Sequence, residues 1–151
     1  MPSPIGPLTL VFDDAGRLMR IDFGEITRRS HQECAGANQA EIQLHEYFAG
    51  TRKVFDMVLS PQGTPFQQAV WNELLKIPFG QTRSYGDVAR ALGRPTLTRA
   101  VGAANGANPI PIIIPCHRVI GSDGSLTGYG GGLKIKAKLL EHEGLLSPAL
   151  L

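Results

Sequence analysis

The sequence predicts an α/β chain in two parts: a small N-terminal α/β sheet domain over residues 1–60 and, after a linker at 61–63, a mainly helical C-terminal domain over 64–151 with a helix-turn-helix. Three observations lead there. Near the start, two stretches of alternating apolar residues flank a turn, the pattern of a β-hairpin. Beyond residue 60 the apolar residues recur at helical spacing, between capping residues and glycine or proline stops. The polar stretch Ser60-Pro61-Gln62-Gly63 separates the two regimes.

Composition bounds the function classes. A chain of 151 residues suits one ordinary domain, or a small domain joined to a smaller one. No apolar run approaches the length of a membrane span, and no membrane partner is expected. The start, Met1-Pro2-Ser3-Pro4, lacks the basic and apolar regions of a signal peptide, so a cytoplasmic location is expected. Two cysteines do not make a disulfide framework, which fits a reducing compartment. Charge is unevenly spread. Residues 1–60 hold six basic and eight acidic side chains, whereas residues 61–151 hold nine basic and five acidic. A basic C-terminal half is a mild pointer to a polyanionic partner.

In the first part, Leu8, Leu10 and Phe12 alternate, Asp13-Asp14-Ala15-Gly16 supplies turn chemistry, and Met19, Ile21 and Phe23 alternate again. Asn38 with Glu41 reads as a capping pair for a helix carrying Ile42, His45, Phe48 and Ala49 on one face and closed by Gly50. Phe55, Met57 and Leu59 then predict a third strand. His31, Cys34 and His45 lack the spacing of a metal site, so no metal is expected.

In the second part, Thr64 caps a helix with Pro65 at its first position and Phe66, Val70, Leu74 and Ile77 as its apolar stripe. Ser84, with Asp87 as capping partner, opens another helix whose inner residues are Val88, Ala91 and Leu92. Gly93-Arg94-Pro95 breaks it, and Thr96 is expected to cap a further helix over 97–107. Two short helices around a glycine-bearing turn fit a helix-turn-helix, and equally an ordinary helical hairpin. The second of them is nearly bare: Ala100, Gly102, Ala103, Ala104 and Gly106, with Arg99 the one long side chain near its start. Glycine weakens a helix, so close approach to another surface is the reason sought, either a neighbouring helix or the wall of a nucleic-acid groove.

Ile112, Ile113 and Ile114 predict a buried strand that stops at Pro115, with Cys116 and His117 just beyond it. A free cysteine in such a place is either a small buried hydrophobe or a nucleophile beside a base. The glycine-rich loop Gly128-Tyr129-Gly130-Gly131-Gly132 lacks the Gly-Lys-Ser/Thr ending of a phosphate-binding loop and does not fit the dinucleotide fingerprint. Residues 133–143 predict a final helix stopped by Gly144, with Lys134, Lys136 and Lys138 read as a solvated face. Glu143 at its end opposes the negative pole of the helix, which calls for a partner.

Pro115-Cys116-His117-Arg118-Val119 resembles the active-site signature of the O6-alkylguanine-DNA alkyltransferases, direct-reversal DNA repair proteins. Arg99-Ala100-Val101-Gly102, Asn108-Pro109, the Gly128-Tyr129 loop and His142-Glu143-Gly144 recur in that family at matching separations, so the resemblance is strong over residues 64–146. The N-terminal part agrees in layout, through Gly6-Pro7-Leu8 and Tyr47-Phe48-Ala49-Gly50, and by resemblance it is ribonuclease H-like. The resemblance implies Cys116 as alkyl acceptor, His117 as base through a water, Glu143 as its orienting carboxylate and Asn108 as the brace of the active-site turn. It implies that Tyr85 hydrogen-bonds the flipped guanine, that Arg99 occupies the place vacated in the stack, and that Val119, through its backbone, and the loop of Tyr129, Gly130 and Gly131 line the lesion pocket. Thr96, Arg99, Ala100, Gly102, Ala103 and Arg118 would face the DNA. The zinc that some relatives bind is not expected, nor is any cofactor, and the protein is expected to act as a monomer on double-stranded DNA containing O6-alkylguanine, with O4-alkylthymine as a second lesion.

The chemistry agrees independently. An alkyl carbon on oxygen is a poor electrophile toward a neutral thiol, so a populated thiolate is expected. The thioether formed has no good leaving group, so each molecule would act once. Three rivals remain. A non-catalytic alkylated-DNA binding protein of the same fold would not need Cys116. A helix-turn-helix transcription regulator would carry more long polar side chains than Arg99 on its second helix. A cysteine hydrolase would have to release its acyl group repeatedly.

Overall fold

The computed structural model describes residues 1–24, 35–126, 129 and 131–145, and they fall into two compact units, Met1–Gln62 and Gly63–Leu151. His31, Cys34, Gly128 and Gly130 lie outside the described residues.

In the first unit, strands β1 (Leu8–Phe12) and β2 (Leu18–Phe23) form the expected antiparallel hairpin. Its turn is held by Asp13, whose carboxylate accepts from the backbone N–H of Ala15 and Arg17 at 3.0 and 2.9 Å. Gly16 there takes φ +80°. The register is regular from Leu8 opposite Phe23 to Val11 opposite Arg20, and then Phe12 pairs with Leu18. Met19 is thus the extra residue of a bulge. Because side chains alternate with period two, the bulge swaps the faces, and Leu18 enters the core in place of Met19. The third strand reduces to a single bridge between Leu59 and Leu18, although Phe55, Met57 and Leu59 are each less exposed than the residues between them.

Helix α1 (Ala35–Phe48) begins three residues before the expected cap, so Asn38 lies inside it. Its buried face is Ala40, Gln43, Leu44 and Tyr47, while Ile42 is 51% exposed. Gln43 sits inward because its amide is satisfied at both ends by the backbone of Asp56, donating at 2.9 Å and accepting at 2.8 Å. A polar residue with built-in partners outranks an isoleucine there, which hydrophobic spacing alone does not reveal.

The second unit begins with α2 (Pro65–Leu74), and its Thr64–Gln67 capping box is complete. Val70, Trp71, Leu74 and Ile77 are buried, and the Trp71 indole N–H donates to the Ala104 carbonyl at 2.8 Å. Strand β3 (Arg83–Ser84) leads directly into α3 (Tyr85–Ala91), capped by Ser84 and Asp87 as expected. Helix α4 (Thr98–Gly106) follows. Leu97 holds its cap position without a side-chain bond, because a turn closed from Leu97 N–H to Arg94 O leaves Thr96 one residue outside it. Strand β4 (Val119–Ile120) pairs parallel with β3, and α5 (Leu133–His142) closes the unit, ending at Gly144 with φ +80°. Among the described residues no helix is long and apolar enough to cross a membrane.

Candidate active site

The segment between α4 and β4 is a buried knot of tight turns where the isoleucine run predicts a strand. Pro109, Pro111 and Pro115 remove three amide donors within seven residues, so no ladder can run through it. In its place Ile113 N–H bonds Pro111 O at 2.9 Å, Ile114 N–H bonds Ile110 O at 3.0 Å, and Cys116 N–H bonds Ile114 O at 2.7 Å. Ile112 takes φ +74°, a costly conformation for a β-branched residue, which only its surroundings can enforce. Asn108 bonds the backbone on both sides of it. Its Oδ1 accepts from Ile110 N–H at 3.0 Å and its Nδ2 donates to Ile114 O at 2.8 Å, bridging both ends of the knot.

The knot delivers a 3₁₀ turn, Cys116–Arg118, in which all three residues are buried. Cys116 is 3% exposed, and burial pushes its thiol up to about 11, against the opposing pulls of an Asn108 hydrogen bond and the Lys136 charge. The resting thiol is therefore protonated, and the expected populated thiolate gives way to one that must be generated on demand. His117 is fully buried, with Nε2 2.6 Å from Glu143 Oε2. Burial holds the imidazole below its usual value, outweighing the Glu143 carboxylate that pulls the other way. A neutral ring facing a carboxylate through Nε2 carries its proton there, so the lone pair is on Nδ1. That atom is buried and has no hydrogen-bond partner among the described residues.

Arg118 corrects an expectation. Its side chain is buried and turns inward: Nε donates to Glu143 Oε1 at 2.7 Å, Nη2 to Oε2 at 3.2 Å, and Nη1 to Ile77 O at 2.7 Å. The guanidinium also lies 5.8 Å from the Phe79 ring centre. Glu143, just past the end of α5, thus finds the partners that its position calls for, an imidazole and a guanidinium, with Gly80 N–H a third at 3.4 Å.

Lys136 corrects a second expectation, since it is fully buried and not solvated. Its Nζ donates to the Val119 carbonyl at 2.6 Å and lies 5.8 Å from the centre of the Tyr85 ring. Burial brings it down to about 8, with Cys116 acting in the opposite sense. The signal for it was in the sequence. Lys136, Leu139, Leu140 and Glu143 recur at helical spacing and are all buried, so both charges ride on the apolar stripe of α5.

Tyr85 opens α3 half-buried, and its ring adjoins Gly102 of α4, where a Cβ would lie at an ordinary contact distance of 3.8 Å. Val119 is buried, whereas Tyr129 and Gly131 are partly exposed. On α4, Val101, Ala104 and Asn105 face inward, while Arg99, Ala103 and Gly106 form an exposed stripe. Ala100 and Gly102 border that stripe half-buried, and Thr96 is exposed in the turn before it. Among the described residues no group of three or more His, Cys, Asp or Glu is placed to hold a metal ion.

A sequence profile described as 6-O-methylguanine DNA methyltransferase, DNA binding domain, matches residues 65–145. The chain is similar to the methylated-DNA–protein-cysteine methyltransferase of Methanosarcina acetivorans, at 48% identity over 94% of each chain. Its similarity to the protein of that name from Mycobacterium tuberculosis reaches 50% identity over 97% of this chain and 92% of that one. A crystal structure of Mycobacterium tuberculosis OGT in complex with DNA superposes with a TM-score of 0.86 at 49% identity, covering 99% of this chain and 94% of that one.

Proposed function

The chain belongs to the methylated-DNA–protein-cysteine methyltransferase family, and from that premise we propose that it repairs O6-alkylguanine in duplex DNA by moving the alkyl group, once and irreversibly, onto Cys116. The observation that carries this reading is a buried thiol next in sequence to a buried, neutral imidazole whose far nitrogen is held by Glu143.

In the transfer step the sulfur attacks the alkyl carbon and the carbon–oxygen bond breaks. The thiol proton passes through a water to His117 Nδ1, and the bonding electrons leave with the guanine. The resulting imidazolium faces Glu143, already bound to Arg118, so charge appears where a carboxylate waits for it. Lys136 supplies a positive charge that favours the thiolate. The Tyr85 hydroxyl and backbone N–H groups of the loop at 129–131 donate to the developing negative charge on the base. The thioether has no route back, which makes the protein its own co-substrate.

A base inside a duplex is out of reach, and flipping it costs a few kcal/mol. Helices α3 and α4 act as a helix-turn-helix laid along the minor groove. The stripe of Arg99, Ala103 and Gly106, bordered by Ala100 and Gly102, allows close approach, Thr96 meets the backbone, and Arg99 fills the gap in the base stack. Val119 and Tyr129 to Gly131 line the lesion pocket, which also takes O4-alkylthymine. The N-terminal unit is ribonuclease H-like, and the protein works as a monomer.

The test reads the DNA. Duplex containing O6-methylguanine, incubated with excess protein, should return plain guanine in an intact strand. An unchanged lesion despite binding would make the protein a non-catalytic binder, and an abasic site would make it a glycosylase.

A further inference from the structure

Asn105 belongs to no part of the mechanism above, yet it is 1% exposed and reaches the reacting turn. From the inner face of α4 its Nδ2 donates to the Cys116 carbonyl at 3.4 Å. That contact sets the amide's orientation, because the flipped amide would oppose two oxygens. Its Oδ1 is buried and has no hydrogen-bond partner among the described residues. His117 Nδ1 is in the same condition. Two polar atoms, both acceptors and both enclosed, are thus carried by side chains that converge on the Cys116–His117 peptide. A buried acceptor left bare costs about 1–3 kcal/mol. The donor suited to both acceptors is a water, which has two hydrogens to give.

We propose that Asn105 is a positioning residue of the proton relay, holding the bridging water of Cys116 and His117 in the one orientation that accepts the thiol proton. The inference rests on the reading of Cys116 as nucleophile and His117 as base. The water donates one hydrogen to His117 Nδ1 and the other to Asn105 Oδ1, so its lone pairs are what remains for the thiol. Without Asn105 the second hydrogen is free to point at the sulfur, and the water then competes with the proton it should receive. In the transfer, the S–H bond breaks as a new O–H bond forms on the water. The water's bond toward His117 breaks as Nδ1–H forms, and the hydrogen on Asn105 stays in place. The water is regenerated and the proton rests on the imidazolium. With three partners, the water has about the number of hydrogen bonds usual for a buried one.

The test uses two electrophiles on the full chain. Iodoacetamide, with modification of Cys116 followed by peptide mass, reports proton removal independently of any DNA chemistry, and methylated duplex reports the transfer itself. Asn105→Leu removes the acceptor and fills its space, whereas Asn105→Ala leaves room for a second water to take over. Near pH 7, Asn105→Leu should slow both reactions at Cys116 by about tenfold, a fraction of what general-base catalysis contributes. Asn105→Ala should fall between it and the wild type. The ratio to wild type should close as the pH rises toward 10, because hydroxide replaces the relay. A merely structural role would lower the rates by a constant factor at every pH. That result, or rates within twofold of wild type in both variants, overturns the proposal. If Asn105→Leu does not fold, Asn105→Ala carries the same comparison. Should wild type transfer no methyl group, the repair reading fails, while the iodoacetamide profiles still decide whether Asn105 assists deprotonation of Cys116.

Discussion

At the scale of single residues, the site is a set of buried charges and near-charges that correct one another. The Cys116 thiol is held up to about 11 by burial, so at neutral pH a charge beside it matters. Lys136 is that charge, itself brought down to about 8. A lysine with a lowered value is charged below it and neutral above it. Its help to the thiolate is therefore complete at pH 7 and fades through pH 8. We expect the single-turnover transfer rate of the wild type to climb with pH and then flatten above about 8, as the lysine discharges while hydroxide continues to rise. Lys136→Met should transfer more slowly at pH 7, by about tenfold for roughly one unit of further rise in the thiol, and its profile should lack the flattening. Its stability should change by only about 1 kcal/mol. Removing a buried ammonium is favourable, and leaving the Val119 carbonyl without its donor is not. A wild-type profile without inflection near 8, or equal rates for both proteins, would remove Lys136 from the chemistry.

At the scale of elements, two pieces of backbone do what helices and strands cannot. The first is the knot between α4 and β4, where Asn108 bonds both ends and Ile112 sits at φ +74°. Asn108→Ala deletes both bonds in a buried segment, and about 1–3 kcal/mol of stability should go with each carbonyl or amide left bare. Chemical denaturation measures that loss. Transfer should slow as well, because Cys116 hangs from the knot through its own N–H. Unchanged stability would mean that packing alone holds the turn. The second is α4, whose inner face is anchored through Ala104 to the Trp71 indole while its outer face is nearly bare around Arg99. If Arg99 takes the place of the flipped base, Arg99→Ala should slow repair of duplex DNA far more than reaction with a free O6-alkylguanine base, which needs no extrusion. Equal losses on the two substrates would place Arg99 in folding or chemistry instead.

At the scale of the whole molecule, what was legible in the sequence follows the range of the interactions concerned. The caps at Thr64 and Ser84, the hairpin turn at Asp13 and the stop at Gly144 are written within a few residues, and each stands where it was read. The isoleucine run misled because a buried turn and a buried strand share one composition, and the prolines that forbid the ladder were the better signal. Gln43 was unreadable, since its partner is the backbone of Asp56. Arg118 looked like a DNA contact until Glu143 and Ile77, distant in sequence, claimed its guanidinium. The same long-range logic brings Asn108 and Lys136 to the Cys116 thiol and Glu143 to the neighbouring His117, and consumption of that thiol in a single reaction is the central proposal. The most direct test is the intact mass of the protein titrated with duplex O6-methylguanine, followed by peptide mapping. Repair should stop at one lesion per molecule, with one methyl group per chain, all of it on Cys116, and Cys116→Ser should bind the duplex but gain nothing. Many lesions repaired per molecule, or a methyl group on any other residue, would contradict it.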